Sequence, residues 1–383
     1  MGIRMLNRFL QQKCPNAIKQ ISLEELSGKS IAVDTSIYMY KYIGENALLE
    51  NFYLMISFFR HYNIKPIFIF DGKPPVEKQD TIEQRKKVKK TAKEEYNRLN
   101  NILKTSNTEK GEELSQQDKL EIESTMDKLK KQFITINQEN IQNVKSLFQA
   151  YGVTYFEAPG EADILCAKFV LKHKVYACLS EDMDMFVYGC PRVLRYLSLT
   201  TESVIMYDLQ EILKILDITM EDFKNICILS GTDYNICTAN IENNILGLDI
   251  QVCKDDKNLD KNLDKNLDKN KEKKSDKNKD KNNKNNDKNN EYNIITTIFN
   301  SYKLLKKYKE LNKTSNDDFY TWLEKSKIIK IDTIELYSIS TLFDLSTFKY
   351  LKNYDKIKIM NGPIMKSALI HIMEKENFIF MTN

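Results

Sequence analysis

An α/β protein with a mainly parallel central sheet and helices on both faces is what this 383-residue sequence predicts. Three observations lead there. Short runs rich in β-branched and aromatic residues, near 31–34, 66–71, 153–158 and 174–180, alternate with longer amphipathic helical stretches. These runs are largely apolar, as strands covered on both faces are. Carboxylates then stand at or just beyond their ends, where open α/β sheets bind their ligands.

In order along the chain, Ile31-Ala-Val-Asp34 and Pro66-Ile-Phe-Ile-Phe-Asp71 read as the first two strands. No strand signal follows between Glu77 and Lys145. Gln84–Leu103 and Leu120–Ile134 read instead as two polar, charged helices joined by the Ser/Thr/Glu-rich stretch 105–117, a helical insertion at 77–145 within the sheet topology. By charge alone such an insertion is a solvated hairpin. Val153-Thr-Tyr-Phe-Glu-Ala158 and Lys174-Val-Tyr-Ala-Cys-Leu-Ser-Glu181 supply the next strands, and the core is expected to span 1–252. Residues 254–290 repeat Leu-Asp-Lys-Asn and then decay into Lys, Asn and Asp. With no aromatic and almost no apolar residues, this tract cannot offset the entropy of ordering, and a disordered insertion is expected. Helical periodicity returns in 291–383, over Ile294–Leu311 and Phe319–Met381, with Trp322 the sole tryptophan. Lys303, Lys306 and Lys307 give the first of these helices a basic face, which suits a solvated surface as well as a nucleic-acid contact.

Composition narrows the function classes. Net charge is +4, and the tract 254–290, with thirteen Lys against nine acidic residues, carries that whole excess. Any nucleic-acid footprint must therefore come from local basic patches and not from bulk charge. Seven scattered cysteines, odd in number and without a Cys-x-x-Cys pair, point to reduced thiols inside a cell and away from disulfide frameworks or structural zinc. His61, His173 and His371 lie far apart and read as packing or surface residues. No apolar run approaches the ~18 residues that cross a bilayer, and Leu6 stands where a myristoylation motif after Met1-Gly2 wants Ser or Thr. The expectation is a soluble intracellular protein, a monomer with no membrane partner.

The carboxylates carry the chemistry. Asp34 and Asp71 end the first two strands, Glu161 and Asp163 follow the third, Asp182 and Asp184 follow the fourth, and Asp233 lies in Gly231-Thr-Asp-Tyr234. Any one of them alone reads as a turn residue or helix N-cap. Together they would repel each other without cations, and hard divalent ions take oxygen ligands. Two such ions about 3.5–4 Å apart are the equipment of phosphodiester hydrolysis.

The ordered set Met1-Gly-Ile, Ile31-Ala-Val-Asp-Thr, Phe70-Asp-Gly-Lys-Pro-Pro75, Glu161-Ala-Asp163, Ser180-Glu-Asp-Met-Asp184 and Gly231-Thr-Asp-Tyr234 resembles the flap endonucleases, among the structure-specific 5′ nucleases. The resemblance runs from residue 1 to about 237 and weakens beyond. It implies a PIN-like 5′ nuclease core, a helical cap at 77–145 under which a free 5′ end threads, and a helix–two-turn–helix region. It implies that Asp34, Asp71, Glu161, Asp163, Asp182, Asp184 and Asp233 hold two Mg²⁺ ions, with Mn²⁺ as a substitute. Lys78 and Arg85 match the catalytic basic pair; seven residues apart, about two helical turns, they share one helix face. Gly2 and Tyr40 fall at DNA-binding positions, Tyr40 as a stacking ring, although by its own pattern Tyr40 reads equally as a core tyrosine. The implied activity is 5′ flap endonuclease and 5′→3′ exonuclease action on branched DNA in replication and repair. The alternatives are a nick or gap exonuclease and a non-catalytic DNA-binding scaffold. Heavy use of Lys, Asn, Ile and Tyr hints at an AT-rich genome, which leaves a nucleus or a viral cytoplasmic replication site open.

Three departures from the family pattern stand out. The segment between Asp34 and Asp71 is short, with only Ile43-Gly-Glu-Asn-Ala-Leu-Leu where a longer loop would sit. Asp163 occupies a position that is usually Glu. The helix–two-turn–helix is degenerate: Gly247 alone, in Ile245-Leu-Gly-Leu248, stands for a Gly-Ile-Gly whose backbone binds phosphate. No sliding-clamp motif is visible at Phe378-Ile-Phe-Met-Thr-Asn383, which leaves a clamp partner open.

Overall fold

The computed structural model describes residues 2–106, 116–235, 240–241, 297–311, 317–348, 354, 357 and 359–378. The tract 254–290 and Gly247 lie outside them. The strands of the main sheet, in chain order, are β1 (Ile18–Ser22), β2 (Ser30–Asp34), β3 (Lys65–Phe70), β4 (Thr154–Glu157), β5 (Ala177–Leu179), β6 (Arg192–Ser198) and β7 (Ser203–Asp208), with a separate short pair at Asn240–Ile241 and Ile329–Lys330. The main sheet has the order β1-β7-β6-β5-β2-β3-β4. The five strands from β6 to β4 are parallel, so β2, β3, β5 and β6 all point their C-terminal ends to one edge. The antiparallel pair β7 and β1 closes one side. These two strands and β6 were not expected from the sequence. β1 is short and mostly exposed, and charged residues interrupt β6, so neither reads as a buried run.

Helices cover both faces, because central strands such as Ile67-Phe-Ile-Phe70 are apolar on both sides. One face packs α2 (Thr35–Gly44), α3 (Leu48–His61) and α6 (Gln138–Tyr151), with Phe68 and Phe148 stacked at 4.1 Å. The other packs α1 (Leu6–Lys13), α7 (Ala162–Leu171), α9 (Leu209–Leu216) and α10 (Met220–Leu229). Leu304, Leu305, Phe319, Leu323, Leu336 and Ile339, from α11 (Ile298–Leu311), α12 (Phe319–Ser326) and α13 (Thr333–Leu342), join this second core. The C-terminal helices are thus continuous with the apolar interior beneath the sheet.

Between β3 and β4 rise α4 (Gln79–Ser106) and α5 (Gln116–Gln132). Along them Ala92, Leu99 and Met126 are buried, and Tyr96 meets Phe133 edge to face at 5.4 Å. At 28 residues α4 is about 42 Å long. None of the described helices is both long and apolar enough to cross a membrane.

Candidate active site

The parallel sheet edge gathers the expected carboxylates. Asp34 closes β2 and is buried, and it accepts a hydrogen bond from Ser180 Oγ at 3.1 Å. Asp71 follows β3 and accepts from the Ala162 backbone N–H at 2.8 Å. Gly72 makes this link possible: its N–H donates to the Gly160 carbonyl at 2.7 Å, and a Cβ there would overlap the Ala158 carbonyl. The Asp-Gly-Lys-Pro-Pro run is therefore where β3 is tied to the loop bearing Glu161. Asp163 sits in the first turn of α7, Asp182 in the loop after β5, and Asp184 at the start of α8 (Asp184–Val187).

Asp182, Asp184 and Asp233 each offer an oxygen within 4.8 Å of the other two. No hydrogen-bond donor reaches the buried Oδ1 atoms of Asp163 and Asp184. Burial pushes the pKa values of Asp34, Asp163 and Asp184 well above the usual carboxylate range, and neighbouring carboxylates push further: Asp71 and Asp182 on Asp34, Asp182 on both others. Buried, donor-starved carboxylate oxygens are ligands for a hard divalent cation, so the donor set fits such an ion. Gly2 lies directly on this cluster with φ +77°, and a Cβ there would overlap Asp182 Oδ1 and Asp184 Oδ1. Only glycine fits.

The basic pair meets the cluster from the base of α4. Lys78 is buried and pairs with Glu161, with Asp233 Oδ2 at 3.5 Å. Burial alone would lower its pKa, but Glu161 and Asp233 reverse the balance and raise it. Arg85 Nη2 donates to Asp233 Oδ2 at 2.6 Å from a half-exposed side chain. An open cleft of about 410 Å³ runs from Gly2 past Thr81, Arg85 and Lys89 to Asp233.

Tyr40 is 41% exposed on α2, with the Lys89 ammonium 4.9 Å from its ring centroid, whereas its neighbours Tyr38 and Tyr42 are buried in the core. Of the two readings open for Tyr40, the buried one does not hold. On α11, Lys306 reaches the exposed Asp217 at 3.7 Å, so part of that basic face lies in a surface ion pair.

Three site residues escaped the sequence reading. Ser180 holds Asp34 and donates no information by type alone, although it follows β5 directly. Tyr234 Oη donates to Glu161 Oε2 at 2.6 Å, and its place beside Asp233 was the available signal. Thr81 Oγ1 donates to the Asp233 carbonyl at 2.6 Å; it lies four residues before Arg85 on one face of α4, and three after Lys78, which ends the 3-10 turn Val76–Lys78 just before that helix.

Comparison with known proteins agrees with this geometry. The XPG N-terminal domain matches residues 1–92 and the XPG I-region residues 152–233. Flap endonuclease 1 of Candida tropicalis is 32% identical over 257 residues, 61% of this chain and 63% of that one. Flap endonuclease 1 of Chlamydomonas reinhardtii is 32% identical over 253 residues, 61% of this chain and 59% of that one. The match thus spans less than two thirds of the length of these curated relatives. In fold, the catalytic core of Rad2 in complex with DNA substrate superposes with a TM-score of 0.58 at 17% identity, over 98% of this chain and 95% of that one. Human GEN1 in complex with Holliday junction DNA gives 0.51 at 14% identity, over 98% and 74%. The chain thus carries both XPG regions in order on a fold like that of the Rad2 core, and it is similar in sequence to the flap endonucleases.

Proposed function

We propose that this protein is a Mg²⁺-dependent nuclease that cuts DNA at 5′ flap junctions, with 5′→3′ exonuclease activity, in replication and repair. One observation carries the reading: seven carboxylates converge on one sheet edge, and Lys78 and Arg85 reach the same point from the base of the cap. A scaffold that only bound DNA would gain nothing from a self-repelling acidic cluster.

Asp182, Asp184 and Asp233, with Asp34, Asp71, Glu161 and Asp163 around them, would hold two divalent ions, which supply an activated water and polarise the phosphate. Lys78 and Arg85 donate to the oxygens of the scissile phosphate and neutralise charge that grows there. With Lys78 and Arg85 on the phosphate, Glu161 and Asp233, which they pair with here, would be free to hold a cation. Tyr40 offers its exposed ring to a base beside the cut, and stacking of this kind tolerates any sequence. The cleft of about 510 Å³ beneath α4 and α5, lined by Lys89, Lys93, Lys130 and Lys131, gives a single strand's phosphates a basic path.

Preference among substrates follows from the α2–α3 link. Only Glu45–Ala47 separate these helices, so little chain is available to wedge a duplex or hold a 3′ flap. This favours nick or gap exonuclease activity as the second reading. End-labelled single-flap, double-flap, nicked and gapped duplexes, with Mg²⁺ or EDTA, decide between them. Metal-dependent incision at the flap base is expected, with little gain from the second flap. Binding without incision in Mg²⁺ would make the protein a scaffold.

A further inference from the structure

Tyr196 is the one residue within a strand, among the described non-glycine residues, whose backbone is left-handed, at φ +55°. A non-glycine residue in this region carries strain, commonly kept where it serves a function. Here the register of β6 against β7 shifts between Arg195 and Ser198, and the Tyr196 side chain is left 42% exposed. The ring is nonetheless firmly held. Its Oη accepts from Asn7 Nδ2 at 2.9 Å, and its backbone N–H donates to Glu181 Oε1 at 2.6 Å. The Arg195 guanidinium lies 4.7 Å from the ring centroid, and is itself buried and fixed by Asn7 Oδ1 at 3.0 Å and the Glu181 carbonyl at 2.9 Å.

Its position gives this arrangement a purpose. β6 runs parallel to β5, so Tyr196 stands on the same sheet edge as the acidic centre, and its partner Glu181 immediately precedes Asp182. Tyr40 and the Lys78–Glu161 pair approach that centre from the side of β3 and β4; Tyr196 approaches from β6, the opposite side. A preorganised aromatic ring with one side on a buried cation and the other exposed is a platform for a nucleobase or sugar.

We propose that Tyr196 is a nucleic-acid-binding residue that packs against the nucleotide on the duplex side of the scissile phosphate, across the acidic centre from Tyr40. The proposal rests on the nuclease reading of that centre, and its test separates the two. Tyr196→Gly removes the ring while relieving the left-handed strain, so its melting temperature should not fall; Tyr196→Asn, which also tolerates this backbone, is the second variant. Against a 5′-flap duplex carrying 2-aminopurine at the first duplex nucleotide, both should show KM raised roughly tenfold with kcat within about threefold, and a weakened 2-aminopurine response. Tyr196→Phe, which keeps the ring and loses only the Asn7 bond, should match wild type. Unchanged KM and an unchanged fluorescence response in the Gly and Asn variants would overturn the proposal. If the wild type fails to cleave, the nuclease reading falls, and the affinity of the same duplex in Ca²⁺ still decides on Tyr196: a roughly tenfold loss in the Gly variant supports it, and equal affinity overturns it.

Discussion

The two ends of the acidic centre differ in how their charge is balanced. At the α4 end, Glu161 and Asp233 are covered by cations of the chain itself, Lys78 and Arg85. At the other end, Asp34, Asp163 and Asp184 are buried with their pKa values driven up by desolvation and by one another, and two of their oxygens find no donor. A divalent ion held at the second end would also reach Asp233 of the first, since Asp182, Asp184 and Asp233 each offer an oxygen within 4.8 Å of the other two.

The largest expected effect comes from breaking the cation-poor end. Asp184→Asn should lower Mg²⁺-dependent incision by at least about a thousandfold, since a metal ligand governs several kcal/mol of barrier. In EDTA the same variant should melt higher than wild type, because it removes a buried, repelled charge. A lower melting temperature would mean that Asp184 is balanced by something other than a metal. Lys78→Met breaks the other end and should reverse the stability sign. Incision should fall roughly 10²–10³-fold, as when one preorganised donor to a transition state is lost. Its melting temperature should also fall, because Glu161 and Asp233 lose a buried partner. Parallel thermal melts of the two variants in EDTA check both signs at once.

The comparison also fixes a pH dependence. Asp34, Asp163 and Asp184 have folded pKa values above the ordinary 3.8, so below that value they are neutral in both states and cost nothing. As pH rises from there through their folded pKa values, the unfolded chain ionises first and metal-free stability is lost. Asp222, Asp318 and Asp344 have lowered pKa values and work in the opposite sense, but only as pH falls toward and below 3.8. Metal-free protein should therefore melt lower at pH 7.5 than at pH 5.5. Saturating Mg²⁺ should raise the melting temperature more at pH 7.5, since the ligands must be deprotonated to bind. A pH-independent Mg²⁺ effect would place the ion away from these three groups.

How much of this was legible depended on the length scale of each cause. The parallel strands ending at Asp34 and Asp71 announced themselves, because burial on both faces demands continuous apolar runs such as Ile67–Phe70. Lys78 and Arg85 were legible from helical spacing together with the family resemblance. β1 was not, because an edge strand with one exposed face can be as polar as Ile18-Lys-Gln-Ile-Ser22. The Arg195–Asn7–Tyr196 network was also hidden, since its members are almost two hundred residues apart and none is unusual in its own segment. Ser180 shows the same limit: nothing in its type told that it would hold Asp34, 146 residues away in sequence.

The smallest effect is the sharpest test of whether the α4 end is built as one unit. The Thr81 hydroxyl donates to the Asp233 carbonyl at 2.6 Å, on the face of α4 that also carries Arg85. Thr81→Val keeps the shape and deletes that bond, whose net worth is about 1 kcal/mol. If the bond serves to seat Asp233 against Arg85, incision should fall about fivefold while the melting temperature moves little. Doubling the change with Arg85→Lys should then cost less than the sum of the two single losses, because both act through the position of one carboxylate. Strict additivity in that double-mutant cycle would mean that Thr81 and Arg85 act separately, and that the cation-bearing end is a pair of local contacts and not a preformed clamp.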